Sequence, residues 1–187
     1  MADLLTELRE GTRDAHERLE RRLDLLNAPS RSRLRAVLAG FYGFHRVWEP
    51  SAERQLGEVM TGRSRLSQLE ADLTVLGETQ SENISLCTAA DIRTHEEAWG
   101  SLYVMEGSTL GGQLIRKGPN GLAGMPPEGL AYFNGYGRRT AARWRELQGL
   151  LLSLPSHLSS EGIVAGARKT FAVLHDWLPP AERPGSG

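Results

Sequence analysis

Ala98-Trp99-Gly100-Ser101-Leu102-Tyr103-Val104-Met105-Glu106-Gly107-Ser108-Thr109-Leu110-Gly111-Gly112-Gln113-Leu114-Ile115-Arg116-Lys117 is the stretch on which the fold turns. Its apolar residues recur at helical spacing, through Trp99, Leu102, Tyr103, Met105, Leu110 and Leu114, and predict a buried or half-buried helix. Yet the stretch contains Gly100, Gly107, Gly111 and Gly112. Each glycine inside a helix costs about 1 kcal/mol relative to alanine, a penalty that needs a use for the missing side chain. Gly107 and Gly111 are one helical turn apart, as are Ser108 and Gly112, so one face carries a patch with almost no side chains. Three readings fit such a patch: another helix packs tightly there, the glycine pair ends one helix before a turn, or a large flat ligand lies on bare backbone with Ser108 and Thr109 as its hydroxyls.

Toward the N-terminus, Leu4 to Leu26 reads as one long amphipathic helix, with Leu4, Leu5, Leu8, Thr12, Ala15, Leu19, Leu23 and Leu26 on one stripe. Beside it runs a second row of Arg9, Arg13, His16 and Glu20, within an arc of roughly 60° at the margin of the apolar face. From that margin a histidine can point into a pocket, the arginines can stand at its rim, and Glu20 can reach the imidazole and fix its orientation. An ordinary solvated helix edge has the same spacing.

The next helix carries Leu34, Val37, Leu38, Phe41, Phe44, Val47 and Trp48, and Pro50 is expected to kink or end it. His45 and Glu49 repeat the His16/Glu20 spacing, but Tyr42 and Leu38 stand where the arginines were, so His45 is expected to be structural. Short helices are expected around Gln55 to Met60 and Leu66 to Leu76, then a polar loop from Gly77 to Thr88 holding Cys87. The glycine-bearing helix is expected to begin near Ala89-Ala90-Asp91, and His95-Glu96-Glu97 to be a solvated face. Gly118 to Gly129 is a loop by composition. A basic helix with Arg138, Arg139, Arg143, Trp144 and Arg145 follows, then a last helix from about Glu161 to Trp177 that Pro179-Pro180 stops. With no strand alternation and no internal repeat, the expected fold is all-α, a single domain over residues 1–178 with a flexible tail over 179–187.

Composition narrows the function. The chain has 187 residues, net charge -1 and 24% charged residues, which gives no basic surface for nucleic acid or an anionic membrane. Its single cysteine, Cys87, excludes an internal disulfide and a cysteine-based zinc site. No apolar run approaches the length of a membrane span and the start lacks a signal-peptide pattern, so a cytoplasmic location is expected. No histidine has a glutamate three residues before it, which removes the di-iron bundle signature. No flavin or nicotinamide fingerprint is present.

Two segments taken together, Leu8-Arg9-Glu10-Gly11-Thr12-Arg13-Asp14-Ala15-His16-Glu17-Arg18-Leu19-Glu20 and Tyr103-Val104-Met105-Glu106-Gly107-Ser108-Thr109-Leu110-Gly111-Gly112-Gln113, make a joint motif. In this order and separation the pair resembles the heme oxygenases, especially the bacterial branch associated with bacteriophytochromes. The resemblance spans the chain to about Trp177. It implies a heme-oxygenase-like helical bundle in which His16 ligates heme iron, and a glycine-kinked distal helix in which Gly107, Gly111 and Gly112 let backbone approach the porphyrin. It further implies that Arg9 and Arg13 meet the heme propionates, that Glu20 supports His16, that Arg145 makes another propionate contact and that Phe171 is a pocket aromatic. In the animal and cyanobacterial enzymes an aspartate follows the first distal glycine and organises water. Here that position is Ser108, as related bacterial sequences also lack the aspartate. The implied catalytic positions are thus Gly107, Ser108 and Gly111. The implied activity opens heme b, both cofactor and substrate, with O2 and an external reductant such as a ferredoxin-like protein, giving biliverdin, iron and carbon monoxide. A bacteriophytochrome is an implied recipient of the bilin. The alternatives are a heme-binding or heme-delivery protein without turnover, suggested by Ser108, and a thiaminase-like enzyme, which would need a pocket cysteine.

Overall fold

The structure, a computed structural model, describes residues 3–27, 29–78, 80–117 and 130–181. Among the described residues six α-helices carry the fold: α1 (Leu4–Leu23), α2 (Arg31–Leu56), α3 (Leu66–Val75), α4 (His95–Lys117), α5 (Thr140–Leu152) and α6 (Ser160–Trp177). Among the described residues there is no strand, and no helix is long and apolar enough to cross a membrane. The loop expected over Gly118 to Gly129 and the tail residues 182–187 lie outside the described residues. The described start of the tail is tied down: the Ala181 amide donates to the Arg22 carbonyl at 2.7 Å.

Helix α1 starts where the Asp3 carboxylate accepts the Thr6 amide at 2.8 Å, which satisfies one of the free donors of the first turn. It stops sooner than its apolar stripe suggests. Asp24 adopts a left-handed conformation (φ 45°) and its amide returns to the Glu20 carbonyl, closing the helix at Leu23. Leu25 is consequently buried, whereas Leu26, the last residue of the stripe, is exposed.

Pro50 does not end α2, which runs on to Leu56. The bond that proline forfeits is the one to the Arg46 carbonyl, on a residue that is exposed like Pro50 itself, so water can take the free acceptor. The buried face stays anchored by the Trp48 indole N–H donating to Ser101 Oγ at 2.9 Å. Ser51 adds to this by accepting the Ile92 amide at 3.1 Å. That last bond draws the chain after Ala90 into an extended course, so Thr88–Ala90 is only a 3-10 turn and α4 begins at His95 rather than near Ala89. Thr94 caps it, with Oγ1 accepting the Glu97 amide at 3.2 Å.

Helix α4 is continuous through all four glycines and packs chiefly against α6, which also receives α1. The crossing of α4 and α6 explains Gly100. A Cβ there would stand 2.5 Å from the Ala167 amide nitrogen, and a Cβ on Gly166 would stand 2.7 Å from Glu97 Cα. The two backbones approach too closely for a side chain on either helix.

Candidate functional site

Nine of the residues singled out in the sequence, Arg9, Arg13, His16, Glu20, Gly107, Ser108, Gly111, Gly112 and Phe171, line one cavity of about 540 Å³. That size is in the range of small-molecule and cofactor sites. The tenth, Arg145, is exposed and does not line it. Its neighbour Trp144 lines it instead; successive residues on a helix are turned by about 100°, so only one of the two can face α4.

Helix α1 supplies the imidazole and the cationic rim. The His16 ring meets Phe171 of α6 edge-on, with centroids 5.7 Å apart, and is 54% exposed. Its Nε2 lies 3.5 Å from Glu20 Oε1, while Nδ1 makes no hydrogen bond among the described residues. Arg9 and Arg13 are exposed, and neither forms a hydrogen bond or a close ion pair among the described residues. Arg9 is near enough to Tyr103 for its charge to favour the phenolate, although burial dominates and pushes that phenol's pKa up.

Helix α4 supplies the bare wall, and its glycines divide by use. A Cβ on Gly111 would meet nothing within 4 Å, and one on Gly107 would only touch the Trp144 ring at 3.7 Å. Gly112 serves packing, since a Cβ there would stand 2.9 Å from the Phe133 carbonyl oxygen. The same stretch of chain is held by the Gln113 amide, which donates to the Asn134 carbonyl at 3.1 Å and the Gly137 carbonyl at 2.9 Å. The glycine patch therefore packs tightly at Gly112 and leaves backbone open to the cavity at Gly107 and Gly111. The hydroxyl protons are already spent within the helix: Ser108 Oγ donates to the Met105 carbonyl at 2.7 Å and Thr109 Oγ1 to the Glu106 carbonyl at 2.6 Å.

A polar wall, unforeseen in the sequence, closes the cavity beside α4. Arg63 Nη1 lies 2.8 Å from Glu106 Oε2, and the Tyr136 hydroxyl donates to Glu106 Oε1 at 2.5 Å. Arg65 donates to the Gly135 and Tyr132 carbonyls, and its guanidinium lies over the rings of Tyr132 and Tyr136. His45 also lines the cavity, but Glu49 takes its Nδ1 at 2.8 Å and the Tyr132 hydroxyl its Nε2 at 3.1 Å. Burial lowers the His45 pKa, favouring the neutral ring, and raises those of both tyrosines, which the Glu106 carboxylate reinforces at Tyr136. Asp72 fixes the tyrosine segment by accepting the Ala131 and Tyr132 amides at 2.9 and 2.8 Å.

Cys87 stands apart. It is 2% exposed, is absent from the cavity wall, and burial pushes its thiol pKa up, so it offers no nucleophile to a ligand there. No cluster of three or more metal-ligating side chains occurs among the described residues, leaving His16 as a single exposed imidazole on a mostly apolar pocket.

The cavity therefore fits a broad apolar plate with an acidic edge. A flat face can rest on Gly107 and Gly111, carboxylates can meet Arg9 and Arg13, and an axial position can take an imidazole nitrogen. Comparisons with known proteins identify the family and the fold. A protein named heme oxygenase from Xanthomonas campestris pv. campestris (strain 8004) is 35% identical over 127 residues, covering 65% of this chain and 72% of the relative. The solved heme oxygenase-1 of the cyanobacterium Synechocystis sp. PCC6803, in complex with heme, superposes with a TM-score of 0.74 at 18% identity, over 94% of this chain and 90% of that one. The family model described as heme oxygenase matches residues 2–179, and the chain belongs to the heme oxygenase family.

Proposed function

We propose that this chain binds heme b in the cavity between α1 and α4 and opens it to biliverdin, using O2 and electrons from an external donor. The observation that carries this reading is one cavity bounded by an imidazole, two arginines that make no hydrogen bond or close ion pair among the described residues, and the backbone of Gly107 and Gly111, where added Cβ atoms would meet at most the Trp144 ring. Heme, once bound, supplies both the redox-active iron and the ring that is cleaved, giving biliverdin, iron and carbon monoxide.

His16 is the residue that would hold the heme iron, through a ring nitrogen, and the iron would supply the redox chemistry. Glu20, one turn on, orients that imidazole. Arg9 and Arg13 bind the two carboxylates of the ring and so fix its rotation in the plane, which decides the edge presented to the glycine wall. Gly107 and Gly111 bring main chain within van der Waals reach of the plate and leave little room for solvent. Trp144, Tyr103 and Phe171 exclude water from its apolar faces. The same reading places the work in the cytoplasm, with a ferredoxin-like or other reductant protein as electron donor and a bacteriophytochrome as a recipient of the bilin.

A second reading, heme carriage without turnover, draws support from Ser108, whose hydroxyl proton is held by the Met105 carbonyl. One assay separates the two. Purified protein is mixed with hemin, a reductant and air, and its absorption spectrum is followed. Turnover predicts a Soret band that decays into bilin absorption; a persistent Soret band selects carriage; a hemin spectrum unchanged by the protein defeats both.

A further inference from the structure

Tyr136 lines a second space besides the heme cavity, a polar recess of about 620 Å³, and it is the one described residue that the two share. Two guanidinium side chains line this recess, from Arg139, the residue before α5, and from Arg143 in its first turn. No acidic side chain lines it among the described residues. Arg143 is fixed: Nη2 donates to the Thr61 carbonyl at 2.9 Å, Nη1 to Glu146 Oε2 at 3.1 Å, and the guanidinium lies 5.4 Å from the centre of the Tyr136 ring. Arg139 is exposed and forms no hydrogen bond or close ion pair among the described residues. Like charges one turn apart on a helix repel each other, and Glu146 is shared between Arg143 and the buried Arg63, whose Nη2 lies 3.4 Å away. One positive charge therefore goes unanswered. The amide side chains in the wall add donors rather than acceptors. Gln68 Oε1 already accepts the Ser67 hydroxyl at 3.1 Å and Asn134 Oδ1 the Arg116 guanidinium at 3.4 Å, which leaves the NH2 group of each. Left-handed main chain at Gly62 belongs to the same wall (φ 69°), and a Cβ there would stand 3.2 Å from Arg143 Nη2 and crowd the guanidinium.

We infer that this recess binds a phosphate group, free or borne on a small organic molecule, between Arg139 and Arg143, with the amide nitrogens of Gln68 and Asn134 as further donors. Guanidinium forks match the geometry of phosphate oxygens, and an Arg143 already held by Thr61 and Tyr136 loses little freedom on binding. A dianion answers both charges at once, which a single carboxylate does not. Because the recess and the heme cavity share only the Tyr136 ring, the site stands or falls independently of the heme reading.

The test is a titration of the full chain with sodium phosphate at constant ionic strength, with affinity read by calorimetry and location by the backbone amide NMR signals of Gly62, Gly135 and Gly137, which line the recess. Phosphate should release or take up heat saturably and shift those three signals along the same curve, and chloride at the same ionic strength should do neither. Arg139→Gln alters an exposed side chain outside the heme cavity, so the fold is not at risk. It should weaken phosphate binding at least tenfold while hemin affinity changes by less than twofold. Glycerol 3-phosphate, titrated in parallel, distinguishes the two sources: tighter binding than phosphate assigns the recess to an organic phosphate, equal or weaker binding to the free ion. Responses that do not saturate, that chloride reproduces, or that survive Arg139→Gln overturn the inference, whether or not the protein binds heme.

Discussion

Gly111→Ala should strengthen the empty protein and weaken its complex with heme, a pair of opposite signs that ordinary damage to a fold does not produce. The added methyl meets nothing within 4 Å, so no clash opposes the gain in helix propensity of about 1 kcal/mol. For a chain of this size that gain corresponds to a rise in Tm of about 2–4 °C. The same methyl stands where the plate would lie on bare backbone. Overpacking of a tight contact costs about 1–3 kcal/mol, or roughly fivefold to 150-fold in Kd. Gly100→Ala is the contrast, because its methyl would meet the backbone of α6, which cannot move aside; it should lower Tm, by about 1–3 kcal/mol of stability. The assay is thermal unfolding of the heme-free proteins by circular dichroism, alongside hemin titration. If Gly111→Ala is stabilised but binds hemin as the parent does, the ligand does not rest on that face and the reasoning fails.

Replacing Arg9 and Arg13 together by glutamine should raise the hemin Kd by at least tenfold or change which bilin isomer forms, since the pair anchors the carboxylate edge; unaltered affinity with an unaltered isomer removes them from the site. Acid should destabilise the fold through His45. Its pKa is lowered in the folded state, chiefly by burial, so as pH falls below its ordinary 6.5 the unfolded chain takes up a proton that the folded chain refuses. Stability is therefore present above that pH and is lost below it. His45→Gln should flatten this loss in urea unfolding between pH 7 and 5, and a slope equal to the parent's would assign the acid sensitivity elsewhere.

Part of this site is written in the sequence because it is written in periods. The row of Arg9, Arg13, His16 and Glu20 needs only the 3.6-residue repeat of one helix, and the structure keeps all of them on one cavity. The helices themselves follow from apolar spacing, with errors where a local event overrides it: a left-handed Asp24 that ends α1 early, an exposed carbonyl that lets α2 pass through Pro50, a serine bond that delays α4. The polar wall is of another kind. Arg63, Glu106 and Tyr136 come from three distant segments, and no spacing brings them together; only packing does. One signal was available, since Glu106 is a charged residue between apolar neighbours on a helix expected to be buried, a position that demands a partner. Arg145 shows the converse limit, because a motif carries a residue to the correct helix without fixing which of two adjacent side chains turns inward.

The central claim is a porphyrin held by His16 on one side and by the Gly107 to Gly111 backbone on the other. A crystal structure of the hemin complex tests it most directly. The account predicts iron bonded to a ring nitrogen of His16, with the plate resting on Gly107 and Gly111; iron bonded to another side chain, or a porphyrin lying away from those glycines, would contradict it.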